Sequence, residues 1–154
     1  MSKKEAENIK RILSDSKIEF KHFIHRAVFT SQEAADERGL ELKQGVKALV
    51  FKNGKFIMAL VPGDRKVDTK KLSKILGFKE LKLAKPEEVF EITNCEIGSV
   101  HPFGFIHELE TYMDEKILEN EIVDFNIGLH TESIAMKSKD LVKVIKPKIL
   151  DFSK

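Results

Sequence analysis

Val46-Lys47-Ala48-Leu49-Val50-Phe51-Lys52-Asn53-Gly54-Lys55-Phe56-Ile57-Met58-Ala59-Leu60-Val61 decides the fold. Two runs rich in β-favouring apolar residues, 46–52 and 55–61, flank Asn53-Gly54, a pair that tolerates positive φ at both centres of a tight hairpin turn. The spacing predicts two antiparallel strands. Val46, Ala48, Leu49, Val50 and Phe51 make the first run apolar on both faces, as expected of a strand covered on each side.

Helix and strand patterns alternate outward from this hairpin. On the N-terminal side, Ile9, Ile12 and Leu13 place an amphipathic helix within 3–16, and 18–24 reads as a strand. Thr30-Ser31-Gln32-Glu33 has capping-box spacing, so a helix runs near 31–38 and Gly39 closes it. On the C-terminal side, Asp68 caps a helix through Leu76 that Gly77 stops, 81–83 is a short strand, and Pro86 opens another helix. Strands follow at 110–114, 121–126 and 131–136, then a helix at 138–146. The order predicts one α/β domain, residues 1–154, built on a mixed sheet flanked by helices.

Length and composition agree, because 154 residues are about one domain and 42% hydrophobic residues can fill a core. Net charge is only +2, but its distribution is uneven: 43–85 holds twelve basic and three acidic residues, and 86–124 one basic and eleven acidic. No run approaches the ~18 apolar residues of a membrane span, and the mixed charges of 1–11 do not resemble a signal peptide. A lone cysteine cannot form an internal disulfide, so a cytoplasmic protein with a free Cys95 thiol is expected.

Four groups of residues could carry chemistry. Lys47 is out of place in its apolar strand: it either snorkels to an edge or lines a polar cavity where an anion compensates it. Gly98-Ser99-Val100-His101-Pro102-Phe103-Gly104 is an ordinary connection or a shaped loop whose N–H groups converge on an oxyanion. Arg65, Lys66, Lys70, Lys71 and Lys74 form a solvated face or a phosphate-facing one. The five histidines and Cys95 fall into no metal or thiol-hydrolase pattern, so neither a metal nor a cofactor is expected. No Walker, Gly-x-Gly-x-x-Gly or Gly-x-Ser-x-Gly motif occurs, and no sequence-reading code for DNA.

Taken together, Val46 to Val50, Val61 to Asp68, Leu72 to Gly77, Gly98 to Gly104 and Asn126 to Ile134 resemble, in order, the YbaK-type aminoacyl-tRNA deacylase superfamily. That superfamily includes the editing domain inserted in bacterial prolyl-tRNA synthetases. The resemblance implies a curved, barrel-like mixed sheet and a freestanding editing enzyme that hydrolyses the ester of a mischarged tRNA, with alanine or cysteine on tRNA for proline as the expected targets. Lys47 matches the family's central lysine, and Gly98 and Pro102 match its Gly-x-x-x-Pro loop. Ser99, Val100 and His101 of the loop, with Asn126, Gly128 and His130, would contact substrate. Some members carry a histidine where Asn126 stands, and His130 lies four residues later, so that role stays open between them. The implied partners are mischarged aminoacyl-tRNA and prolyl-tRNA synthetase, with no membrane and no DNA. A non-catalytic module binding tRNA or a synthetase through the same charge pattern is the alternative, and a thiol or metal hydrolase using Cys95 or the histidines a more distant one.

Overall fold

The structure, a computed structural model, describes residues 2–154. Helix α1 (Ser2–Asp15) buries Ala6, Ile9 and Leu13, one stripe at helical spacing. Strand β1 (Phe20–Ile24) leads to α2 (Ser31–Arg38), where Thr30 Oγ1 accepts from the Glu33 amide at 3.1 Å and Gly39 closes the helix at φ +68°. The hairpin is β2 (Val46–Asn53) with β3 (Lys55–Pro62), paired from Val46 opposite Pro62 to Asn53 opposite Lys55. Its turn departs from expectation in one respect. Only Gly54 takes a positive φ, +72°, because Asn53 stays in the ladder.

Next come α3 (Thr69–Leu76), capped by Asp68 and ended by Gly77, β4 (Lys82–Leu83) and α4 (Pro86–Thr93). The chain finishes with β5 (Glu110–Asp114), β6 (Ile122–Asn126), β7 (Glu132–Lys137), α5 (Ser138–Ile145) and β8 (Lys148–Leu150), the last a strand not anticipated from the sequence.

The strands form two sheets where one was expected. β1-β7-β6 is antiparallel, and β4-β2-β3-β5-β8 is mixed, with β5 parallel to both β3 and β8. Among the described residues a single parallel bridge, between Gly45 and Asp124, joins them, so the mixed sheet flanked by helices is present but does not close, and "barrel-like" holds only loosely. Both faces of the hairpin are covered. Val50, Met58 and Leu60 enter a core with Ile9, Phe103, Phe125 and Leu141, whereas Phe51, Ile57, Ala59 and Val61 pack with Leu72, Tyr112 and Phe152. The C-terminal segment is tied to the loop after β3: Lys66 and Lys154 exchange two backbone hydrogen bonds (2.9 and 2.8 Å). The buried Asp114 carboxylate accepts from the Phe152 and Ser153 amides (2.9 and 3.0 Å) and the Ser153 hydroxyl (2.8 Å). Among the described residues no helix is long and apolar enough to cross a membrane.

Candidate active site

A cavity of about 220 Å³ runs along the outer edge of β2 and touches every residue from Gly45 to Val50. It lies there because the edge is unfinished. Gly45 bridges to β6, Phe51 and Lys52 pair with β4, and the Val50 carbonyl accepts from the Ala84 amide at 2.9 Å. Strand alternation turns the amide and carbonyl of Ala48 to the same side as those of Val50, into the gap. Val28, Ala34, Val89 and Val100 make the walls apolar, and the exposed side chains of Phe29, Leu83 and Ile97 form the rim.

Lys47 lines this cavity, half-buried, and its amine donates to the Arg65 carbonyl. Two residues before it, the Gly63 amide donates to the Gly45 carbonyl at 2.8 Å, and Gly63 leaves no room for a Cβ, which would collide with the Leu42 carbonyl oxygen. Burial lowers the Lys47 pKa below the ordinary lysine value; the Asp64 carboxylate opposes that effect and Lys66 adds to it. The lysine thus lines a cavity and reaches the neighbouring loop at once.

The loop after α4 supplies the facing wall through Ile97, Gly98 and Val100. Gly98 sits at φ +89°, and its carbonyl accepts from Asn126 Nδ2 at 2.7 Å. Two other amides are occupied: Ser99 donates to Glu96 O (3.0 Å) and Phe103 donates to His101 Nδ1 (3.1 Å). Among the described residues the amides of Gly98 and Val100 have no internal acceptor, and these are the two loop glycine and valine positions that face the cavity.

The remaining expected residues separate into those beside the cavity and those away from it. Asn126 lines it and joins Gly98 to Arg38, whose Nη2 donates to Asn126 Oδ1 at 2.7 Å. His130 stands behind Gly98, bonded to the Val28 carbonyl (3.0 Å) and to Glu96 (3.3 Å), with its ring 4.6 Å from that of Phe29. Ser99, Pro102 and Gly128 are buried supports; Gly128 donates to Ser99 O at 2.9 Å. His101 is the clear departure from expectation: it is 0% exposed and turned away from the cavity toward Glu5 of α1. Lys66, Lys70, Lys71 and Lys74 are exposed and Arg65 partly so, with Lys71 paired to Asp151 at 3.1 Å. Lys52–Glu88 and Lys55–Glu110 pairs (2.9 and 3.0 Å) consume part of the charge contrast between the basic and acidic segments.

Sequence reasoning missed Arg38. The residue lines the cavity, nearly buried, and pairs with buried Asp124 of β6, 86 positions away. A cation in the last turn of α2 reads locally as an answer to the helix dipole, which hides this pairing. Cys95 is buried and lies outside the cavity, and burial, with the Glu5 charge adding to it, pushes its thiol up to about 12.

Residues 25–144 match the family model of the aminoacyl-tRNA editing domain. The chain belongs to that family. It is 31% identical over 147 residues to the multifunctional Ser/Thr-tRNA deacylase ProXp-y of Escherichia coli, covering 92% of this chain and 88% of the relative. Part of it, 56%, is 34% identical to 15% of a proline–tRNA ligase of Bacillus cytotoxicus. A crystal structure described as that of a candidate trans-editing enzyme for prolyl tRNA synthetase superposes with a TM-score of 0.84 at 28% identity, over 97% of each chain. This editing domain is therefore a YbaK-type aminoacyl-tRNA deacylase, as the resemblance implied.

Proposed function

We propose that this deacylase clears small amino acids from mischarged tRNA, with Lys47, the Gly98–Pro102 loop and Asn126 as its working parts. One observation carries the reading: Lys47, Gly98, Val100 and Asn126 line the same small cavity, itself below the ~300 Å³ at which drug-sized ligand sites begin. Such a space suits a small aminoacyl group. Alanine and cysteine on tRNA for proline remain the first targets, and the name of the Escherichia coli relative adds serine and threonine.

Water, which a hydroxyl of the substrate ribose can orient, attacks the aminoacyl carbonyl carbon. The ester C–O bond then breaks, one proton of the water passes to the departing ribose oxygen and the other to solvent, and the amino acid leaves as its carboxylate. The Gly98 and Val100 amides receive the charge that develops on the carbonyl oxygen, a contribution of about 3 kcal/mol per donor in comparable sites. Pro102 has no N–H and serves by fixing loop shape. Asn126 holds the Gly98 carbonyl so that the peptide behind it keeps its direction. Lys47 acts through its charge on the ribose-phosphate end, and the open edge at Ala48 takes the polar groups of the amino acid. Phe29, backed by His130, offers the terminal base a stacking surface. Lys66, Lys70 and Lys74 extend the positive surface along the tRNA, and prolyl-tRNA synthetase is the partner whose errors the protein would correct.

The test is a deacylation panel with alanyl-, cysteinyl-, seryl- and threonyl-tRNAs, run on the wild type and Lys47→Ala. Release of at least one amino acid is expected, with turnover cut ~100-fold or more in the folded variant; removal of a preorganised electrostatic contact commonly costs that much. Full activity in Lys47→Ala removes the lysine from the mechanism, and an inert wild type across the panel removes the small-residue assignment.

A further inference from the structure

The amides of Gly98 and Val100 stand on either side of the Gly98–Ser99 peptide, which is held at both ends. Its carbonyl accepts from Asn126 Nδ2 at 2.7 Å, and its N–H donates to the Glu96 carbonyl at 3.0 Å. The next peptide is anchored too: the Ser99 carbonyl accepts from the Gly128 amide at 2.9 Å, which in a trans peptide turns the Val100 N–H the opposite way. Asn126 can do its part in one orientation only, with the nitrogen and not the oxygen of its side-chain amide toward Gly98. Arg38 settles which. A guanidinium only donates, so Nη2, at 2.7 Å from Asn126 Oδ1, keeps the oxygen on its own side and leaves the nitrogen for the Gly98 carbonyl.

The manner in which Arg38 is held points the same way. From the last turn of α2 its Nη1 donates to Asp124 Oδ1, and Asp124 lies two residues before Asn126 on the same face of β6. Guanidinium and carboxylate often pair through two parallel bonds. Here only one forms, and Arg38 Nε and Asp124 Oδ2 stay buried with no hydrogen-bond partner among the described residues. The second arm of the fork goes to Asn126 instead. We propose that Arg38 is a positioning residue for deacylation: anchored on Asp124, it orients the Asn126 amide, which sets the Gly98–Ser99 peptide and so aims the amides beside it. The inference rests on the oxyanion role given to those amides.

Arg38→Lys keeps a cation beside Asp124 but replaces the fork with a single point of contact. On the aminoacyl-tRNA that the wild type clears fastest, kcat of the folded variant should fall about tenfold with KM within about twofold, the split left by a contact felt only in the transition state. Added to Asn126→Ala, the same substitution should lower kcat by less than about twofold more, because the residue it acts through is gone. Wild-type kcat in folded Arg38→Lys, or two effects that simply multiply, overturns the inference. Should circular dichroism show the lysine variant unfolded, Arg38→Gln with Asp124→Asn, which buries no lone charge and is too short to reach Asn126, replaces it in both comparisons. NMR of the isotope-labelled full chain reads the contact without turnover. One Asn126 side-chain amide proton should resonate downfield in the wild type and move toward the free asparagine position in Arg38→Lys; an unmoved resonance also overturns the inference. A wild type inert on every tRNA tested overturns the deacylase reading, and the Asn126 resonance then decides by itself whether Arg38 orients that amide.

Discussion

Gly98 holds its backbone at φ +89°, outside the range an L side chain adopts without strain. A Cβ there would meet His130 Cε1 at 3.6 Å and the Phe29 carbonyl oxygen at 3.9 Å, both ordinary contacts, so the obstacle to substitution is conformational. Gly98→Ala therefore has to find about 1–3 kcal/mol of backbone strain or rotate the peptide. Turnover should fall at least about tenfold with little loss of Tm, read in single-turnover deacylation; an unchanged rate would take the loop out of the reaction. Lys47 makes a second prediction through its lowered pKa. A charge that works only when protonated loses effect as pH climbs toward that lowered value. Corrected for uncatalysed ester hydrolysis, kcat/KM should decline there, and Lys47→Arg, whose cation persists, should carry its residual activity to higher pH. A rate that rises through the same range would assign Lys47 as a base. Both residues were legible beforehand, one as a cation in an apolar strand and the other in a glycine-proline loop. Arg38 and Asp124 were not, because their pairing spans 86 positions and leaves no local trace.

Helix α3 shows what an element owes to its ends. Asp68 Oδ1 accepts from the Lys71 amide at 3.1 Å, and Gly77 ends the helix at φ +73°. Asp68→Ala should cost about 1 kcal/mol, a Tm decrease of a few degrees by thermal melting. Lys70 and Lys74, exposed on that helix, should act on tRNA binding alone: the double substitution to Glu should weaken binding and flatten its salt dependence while Tm holds. An unaltered salt slope would move the tRNA to another face. Caps and tight turns are short-range chemistry, which is why α2, α3 and the β2-β3 hairpin could be read to within a residue or so. β8 escaped because three residues carry no period, and Lys148–Leu150 becomes a strand only by lying parallel to β5.

At the scale of the molecule, Asp114 governs geometry it never touches. Its carboxylate fixes Phe152 and Ser153; the next residue, Lys154, clasps Lys66, and the adjoining Arg65 carbonyl receives the Lys47 amine. Asp114→Asn sets an amide donor among the donors that the carboxylate satisfies, at a cost of about 1–3 kcal/mol. A lower Tm together with reduced kcat in the folded fraction is expected; normal kcat would show that the Lys66 loop keeps its place unaided. The α/β class with helices around a mixed sheet was readable from the alternation of elements. The division into two sheets was not, since it depends on how Gly45 meets Asp124, a pairing that no hydrophobic period encodes.

The brevity of the gap beside Ala48 has a consequence for what the enzyme leaves alone. Asp124 closes one end and β4 the other, so the free backbone groups of Ala48 lie on a bounded edge. If that edge holds the amino acid, a peptide esterified to tRNA should be released more slowly than a single residue, which adding a peptidyl-tRNA to the deacylation panel checks.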